Sequence, residues 1–172
     1  MQDKQILVDT INNFSRSDGT VTGIAAAWAL TTLDPQWREL YPNSELILPF
    51  DFEANRRKVM ILMSDGGSSH LVFPRDIDLE NSTELPLFAH RTDARVLNSG
   101  EQNTAQQQKC DHIKSKDVEI FTVGFQIRNE NHAANLRSCA SASANAFDAV
   151  EGNLNDSFDA IAGQVGITRL SR

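Results

Sequence analysis

Apolar positions along the chain follow two patterns, a 3.6-residue period and short uninterrupted runs, and their alternation outlines an α/β fold. In QILVDTINNFS, residues 5–15, Ile6, Leu7, Ile11 and Phe14 fall close to one helical face and predict a short amphipathic helix closed by the polar turn SRSDGT. Helical periodicity resumes from Thr20, where Val21, Ile24, Ala25 and Trp28 stand at i, i+3, i+4 and i+7 among alanines that favour helix. Asp34-Pro35 ends it, because the residue before a proline is driven out of the helical region. Residues 35–57 hold no sustained period, and their one apolar run, ELILPF, suits either a strand or a packed loop.

Val59 to Met63 is apolar on both faces and too short for a helix, which predicts a central strand of a parallel sheet covered on each side. From Gly66 to Gly100 the segments FPRD, ENSTELP and LNSG supply turn formers without a period, reading as a surface insertion or, in part, as a binding rim. Gln102 to Lys116 reads as a helix with Ala105 or Gln106, Cys110 and Ile113 facing inward. In DVEIFTVGFQI, a second strand puts Val118, Ile120 and Thr122 on one face and Phe121, Val123 and Phe125 on the other, both buried. His132 to Ser141 follows as a shorter helix carrying Leu136 and Cys139, and Asn145 to Val150 as a strand candidate. The last helix starts with Asn153 as its cap and Asp156 in its first turn, and its stripe is Leu154, Phe158, Ile161, Ala162 and Val165. Strand and helix in alternation predict one domain built on an open, mainly parallel sheet flanked by helices, with right-handed crossovers.

Length and charge narrow the partners. A chain of 172 residues suffices for one domain with its own core, and a formal charge of -7 argues against nucleic acid or an anionic membrane, either of which calls for a basic patch. No apolar run approaches the ~20 residues that span a bilayer, and MQDKQ lacks the basic and apolar segments of a signal peptide. Cys110 and Cys139 form no zinc motif with His112 and His132, so they read as one disulfide or as two unrelated buried thiols.

The candidate chemistry gathers at RKVMILMSDGGSS. In open parallel sheets ligands bind beyond the carboxyl ends of the strands, and Asp65 is delivered there by the strand it ends, while Gly66 and Gly67 permit a sharp turn and close approach. The same residues also suit an aspartate that only caps a turn. Gly19-Thr20 stands before an alanine-rich helix, so a hydroxyl at a helix N-terminus faces the same edge, and a carboxylate with a threonine hydroxyl makes half of an octahedral Mg²⁺ site. His70, His90, His112 and His132 share no ligand-like helical spacing with an acid, and Trp28 and Trp37 read as packing residues.

These residues resemble a family. GT before an alanine-rich helix, then an apolar strand ending SDG, resembles a von Willebrand factor A domain, whose metal-ion-dependent adhesion site takes a threonine and an aspartate from such features. More narrowly, GTVTGIAAAWALTTLDP, RRKVMILMSDG, QQQKCDHIKSKDVEIFTVGF, LRSCAS and NLNDSFDAIAGQVGITRLSR resemble, in order, the C-terminal region of TadG-like proteins of the tight-adherence (Tad/Flp) pilus machinery. The resemblance carries Thr20 and Asp65 over as metal ligands and Cys110 with Cys139 as a bridged pair, which fits a chain held outside the cytoplasm. It also has a gap: the opening strand with Asp-x-Ser-x-Ser has no counterpart, and Asp65-Gly-Gly-Ser-Ser places serine one position late. The expectation is therefore a C-terminal part of a longer protein without that strand and the family's inner-membrane anchor, its open slot in the sheet covered by N-terminal residues or its stability marginal.

The function implied is a noncatalytic protein-binding or adhesion module of a pilus assembly, periplasmic or at the cell surface, whose protein partner fills an open position on Mg²⁺ held by Thr20 and Asp65. The alternatives are a Mg²⁺-dependent phosphoryl-transfer or phosphatase domain using Asp65, for which Lys58 lies at the wrong end of its strand, and a structural module that uses no metal.

Overall fold

The computed structural model describes residues 2–13, 22–40, 48–52, 56–66, 72–74, 94–96 and 99–167. Its elements run α1 (Gln2–Asn12), α2 (Thr22–Thr31), a 3-10 turn (Pro35–Leu40), β1 (Lys58–Ser64), β2 (Val72–Pro74), β3 (Ala94–Val96) and α3 (Ser99–Ser115). They continue with β4 (Val118–Phe125), α4 (Glu130–Cys139), a 3-10 turn (Ser143–Asn145), β5 (Ala146–Ala149) and α5 (Leu154–Ile167). β1, β4 and β5 form a parallel sheet in the order β1-β4-β5, in register from Lys58 opposite Val118 and from Thr122 opposite Ala146. The fold is thus α/β, a three-stranded parallel sheet flanked by helices.

β4 is central because its residues are apolar in both directions. Val118 and Ile120 join Met60, Leu62, Ala26, Leu30, Cys110, Ile113, Leu136 and Cys139 in the core under α2, α3 and α4. Phe121 and Val123 turn the other way and pack with Ala149 and Ile161 under α5. The two faces expected for this strand are the two faces found.

β1 departs from its expectation. Lys58, Met60, Leu62 and Ser64 are buried, but Ile61 and Met63 are each 44% exposed, and no described strand pairs with the edge away from β4. α5 packs mainly on β4 and β5 and reaches β1 at Val59, short of Ile61 and Met63. Nor does α1 cover those two, since residues 4–13 are exposed throughout, Ile6, Leu7 and Ile11 included; Phe14 lies outside the described residues.

The second helix buries a different stripe from the one its large residues suggest. Thr22, Ala26 and Leu30 face inward, while Ala25 and Trp28 are exposed. The reason is close helix packing: a Cβ at Gly23 would stand 3.1 Å from the Cα of Gln106 on α3, so small residues must line this contact. On α3 itself Gln106, Cys110 and Ile113 are buried as expected, Gln106 rather than Ala105 filling the first position.

Elsewhere the differences are local. Asn129 opens α4 by accepting from the backbone N of Asn131 and His132 at 2.9 and 3.4 Å. Asn153 does not turn its side chain into α5; its Oδ1 reaches back to accept from Val150 N at 2.7 Å. Within α5 Ser157 and Ile161 are buried, whereas Phe158 and Ala162 are exposed. The stretch read as an irregular insertion contains a short antiparallel pair, β2 with β3, and most of its remainder lies outside the described residues. Of ELILPF, the described residues Leu48 to Phe50 are not in a strand.

Candidate functional site

Parallel pairing brings the carboxyl ends of β1, β4 and β5 to one edge, where Ser64 stands opposite Gly124 and Gly124 opposite Asp148. Ser64 is buried, and its hydroxyl both donates to the carbonyl of Gly66 at 2.9 Å and accepts from the Gly66 N–H at 3.3 Å. This local loop closes the turn after β1 and leaves Asp65 exposed at its tip. The strand therefore places the Asp65 carboxylate at the carboxyl edge of the sheet.

The next two strands complete the row. Gly124 is closely approached by its neighbours: a Cβ there would stand 3.2 Å from both Asp148 Oδ1 and Ile127 Cδ1, so a larger residue would have to displace these side chains. Past β4 the chain turns sharply at Gln126, in the left-handed region at φ 54°, and its N–H donates to Ala149 O at 2.8 Å. Asp148 is neutralised by Arg137 of α4, whose Nη1 donates to Oδ2 at 2.8 Å and whose other terminal nitrogen pairs with Glu130. Asp65 forms no ion pair with another described residue, which makes it the uncompensated charge of the three-strand edge.

Among the described residues no cluster of metal-ligating side chains is assembled at this edge. Asp65 offers one hard oxygen donor, the Ser64 hydroxyl is committed to Gly66, and the described residues contain no group of three His, Cys, Asp or Glu able to hold an ion. Thr20, the other expected ligand, lies outside the described residues, and so do His70, His90 and the acids Asp76, Asp78 and Glu80.

The opposite, amino-terminal edge is a set of structural clasps that sequence reasoning missed. Lys58 is buried and donates from Nζ to the carbonyls of Leu33 and Phe50 while standing 3.7 Å from the Phe52 ring centre. Burial pulls its pKa below the ordinary lysine value, against the attraction of Asp34. Arg57 pairs with Glu119, which also accepts from Asn145 Nδ2 at 2.7 Å. The available signal was a run of three cations, Arg56-Arg57-Lys58, heading an otherwise apolar strand.

Behind the sheet, Cys110 and Cys139 are joined in a disulfide with Cα atoms 5.2 Å apart, tying α3 to α4. Both are fully buried, and Gln106 Nε2 donates to Cys139 Sγ at 3.6 Å.

No protein-family model matches the chain, and no curated protein matches it. Among solved structures it is similar to the vWF domain of the type V pili tip protein Mfa5 from Porphyromonas gingivalis, with a TM-score of 0.63 and 15% sequence identity over 93% of this chain and 72% of that one. At that identity the likeness speaks for the fold: the parallel sheet and its helices have a von Willebrand A-like arrangement. Among the described residues no helix is long and apolar enough to cross a membrane.

Proposed function

We propose that this chain is a noncatalytic protein-binding module of a bacterial pilus or adhesion apparatus, with the carboxyl edge around Asp65 as its contact surface. The observation that carries the proposal is the exposed, uncompensated Asp65 carboxylate, held out by the Ser64 to Gly66 turn on a sheet whose fold is that of a pilus tip protein's vWF domain. A carboxylate on a rigid strand end is a directional acceptor for a partner's lysine or arginine, and little ordering entropy is lost when it binds.

The finer reading follows the sequence resemblance: a TadG-like component of the Tad/Flp machinery, acting in the periplasm or at the cell surface. The buried disulfide supports a compartment that keeps cysteines oxidised. The metal-dependent form of the proposal adds Mg²⁺ at Thr20 and Asp65 and has its own test, because the described residues supply only the second of these.

Biolayer interferometry of the chain against purified Flp-type pilin, in Mg²⁺ and in EDTA, tests the reading. Binding that Asp65→Ala weakens at least about tenfold supports it; no binding, or binding indifferent to that change, overturns it. A Mn²⁺ titration followed by electron paramagnetic resonance reports on the metal separately, with saturable binding lost in Asp65→Ala as the expected signature. Hydrolysis of p-nitrophenyl phosphate that needs Mg²⁺ and disappears in Asp65→Asn would replace adhesion by the phosphatase alternative.

A further inference from the structure

Among the described residues two other than glycine hold a positive φ, Asp117 at 56° and Gln126 at 54°. In that region Cβ crowds the following carbonyl, a cost that glycine escapes and that asparagine and aspartate soften by bonding locally to the backbone. Asp117 is of the tolerant type, and it closes the turn between α3 and β4 with its N–H on Lys114 O at 3.0 Å. Gln126 is not of that type. It stands just past β4, where Ala149 O holds its N–H at 2.8 Å, so the sheet fixes its backbone while its side chain is exposed. A turn alone would be served better by glycine, and strain of this kind is kept where the side chain has a use.

Strand register narrows that use. Ser64 stands opposite Gly124, so Asp65 follows one residue past the pair and Gln126 two residues past it. With strands about 4.8 Å apart and a rise of about 3.3 Å per residue, their Cα atoms lie on the order of 6–10 Å apart. Both side chains are exposed, and neither makes a hydrogen bond or ion pair with another described residue. Asp148, further along the same edge, is already neutralised by Arg137. The edge therefore offers a carboxylate and a carboxamide side by side.

We infer that Gln126 is a second contact residue of the surface around Asp65, pairing with a peptide group of the partner next to the basic side chain that Asp65 accepts. This rests on the reading of Asp65 given above. A carboxamide carries a carbonyl acceptor and N–H donors in one plane, the complement of the N–H and C=O of a peptide group. A carboxylate by itself reads only the cation. Together they select a lysine or arginine that belongs to a peptide chain over a free cation, and the long stem of either side chain spans a gap of this size.

Proton–nitrogen correlation NMR of the isotope-labelled chain observes the Gln126 side-chain amide directly, and two probes separate the two contacts. N-acetyl-arginine methylamide, which has peptide groups, is expected to shift the Asp65 backbone amide and the Gln126 side-chain amide along one saturating curve. Ethylguanidinium, which has none, is expected to shift Asp65 alone and to bind at least about threefold more weakly. Gln126→Gly relaxes the left-handed backbone, so its Tm is expected to rise while its affinity for N-acetyl-arginine methylamide falls to that for ethylguanidinium. A residue serving only the turn would give the rise in Tm with no loss of binding. Shifts at Asp65 without Gln126, equal affinities for the two probes, undiminished binding by Gln126→Gly, or a Gln126→Gly chain that melts no higher each overturn the inference and leave the Asp65 contact standing. No shift at Asp65 with either probe overturns both.

Discussion

The ammonium of Lys58 stands 3.7 Å from the centre of the Phe52 ring, and Lys116 approaches the same ring at 5.8 Å while its Nζ pairs with Asp34 at 3.0 Å. One aromatic ring and one buried acid thus hold two lysines, from β1 and from the turn after α3, against the segments around residues 34 and 52. Lys58→Met keeps most of the volume but strands two carbonyl acceptors and removes the cation–π contact. Unfolding by denaturant is expected to show a loss of about 2–4 kcal/mol, with Arg38→Met, at a more exposed clasp to Pro49 and Asp51, costing clearly less.

Glu119 gives the stability a pH dependence of known sign. The hydrogen bond from Arg57 holds its carboxyl below the usual carboxylate range, Asn145 adds to this, and burial opposes it. A carboxylate whose folded pKa is depressed contributes stability that is fully present above its unfolded pKa, about 4.3, and is lost as the pH falls through the folded value. Comparison of unfolding free energy between neutral and acid pH is expected to show a drop that Glu119→Gln reduces by about 1 kcal/mol.

Three glycines, two in helices and one in β4, separate close packing from backbone freedom. Gly23→Ala would gain propensity inside α2, yet its Cβ would meet the Gln106 backbone, and pushing two helices apart is expected to outweigh the gain by about 1–2 kcal/mol. Gly163→Ala in α5 meets nothing within 4 Å and is expected to stabilise by about 0.5–1 kcal/mol. Gly124→Ala, crowding Asp148 and Ile127, is expected to destabilise by about 1 kcal/mol or more and to disturb the Arg137 pairing. Thermal unfolding of the three variants in parallel checks the order.

Reduction offers the fourth test. Cys110 and Cys139 are separated by 29 positions, and closing a loop of that size removes unfolded-state freedom worth about 3–4 kcal/mol in the chain-entropy account. The double variant Cys110→Ser with Cys139→Ser is expected to lose at least that much by chemical denaturation, since two hydroxyls would also enter a fully buried site.

The parts of this architecture that periodicity reveals are those in which burial is symmetrical. β4 is apolar both ways and is covered both ways, so its two faces could be read directly. β1 carries the same signal, but composition records what a strand is suited to and not whether a neighbour is present; Ile61 and Met63 are the residues on which the two part company. α2 was misread for a different reason. α3 comes so close at Gly23 that small residues line that contact, while Leu30 fills the core further along and Trp28 stays outside, and a hydrophobic period counts size where close packing calls for little of it. At the candidate site Asp65 was legible from a strand ending in SDG. The row it begins was not, because Gly124 and Asp148 join it only through strand register, and Arg137 only through the packing of α4.

The pairing of β1 with β4 also has a consequence in time. Arg57 and Glu119, which meet at the start of the two strands, are 62 positions apart, so at roughly 5–20 residues per second the ribosome delivers the second about 3–12 s after the first. For that interval the nascent apolar run has none of its described strand partners, and α2 is the only described sheet-covering helix already made. The apolar run of β1 is thus made well before the β4 strand that it pairs with.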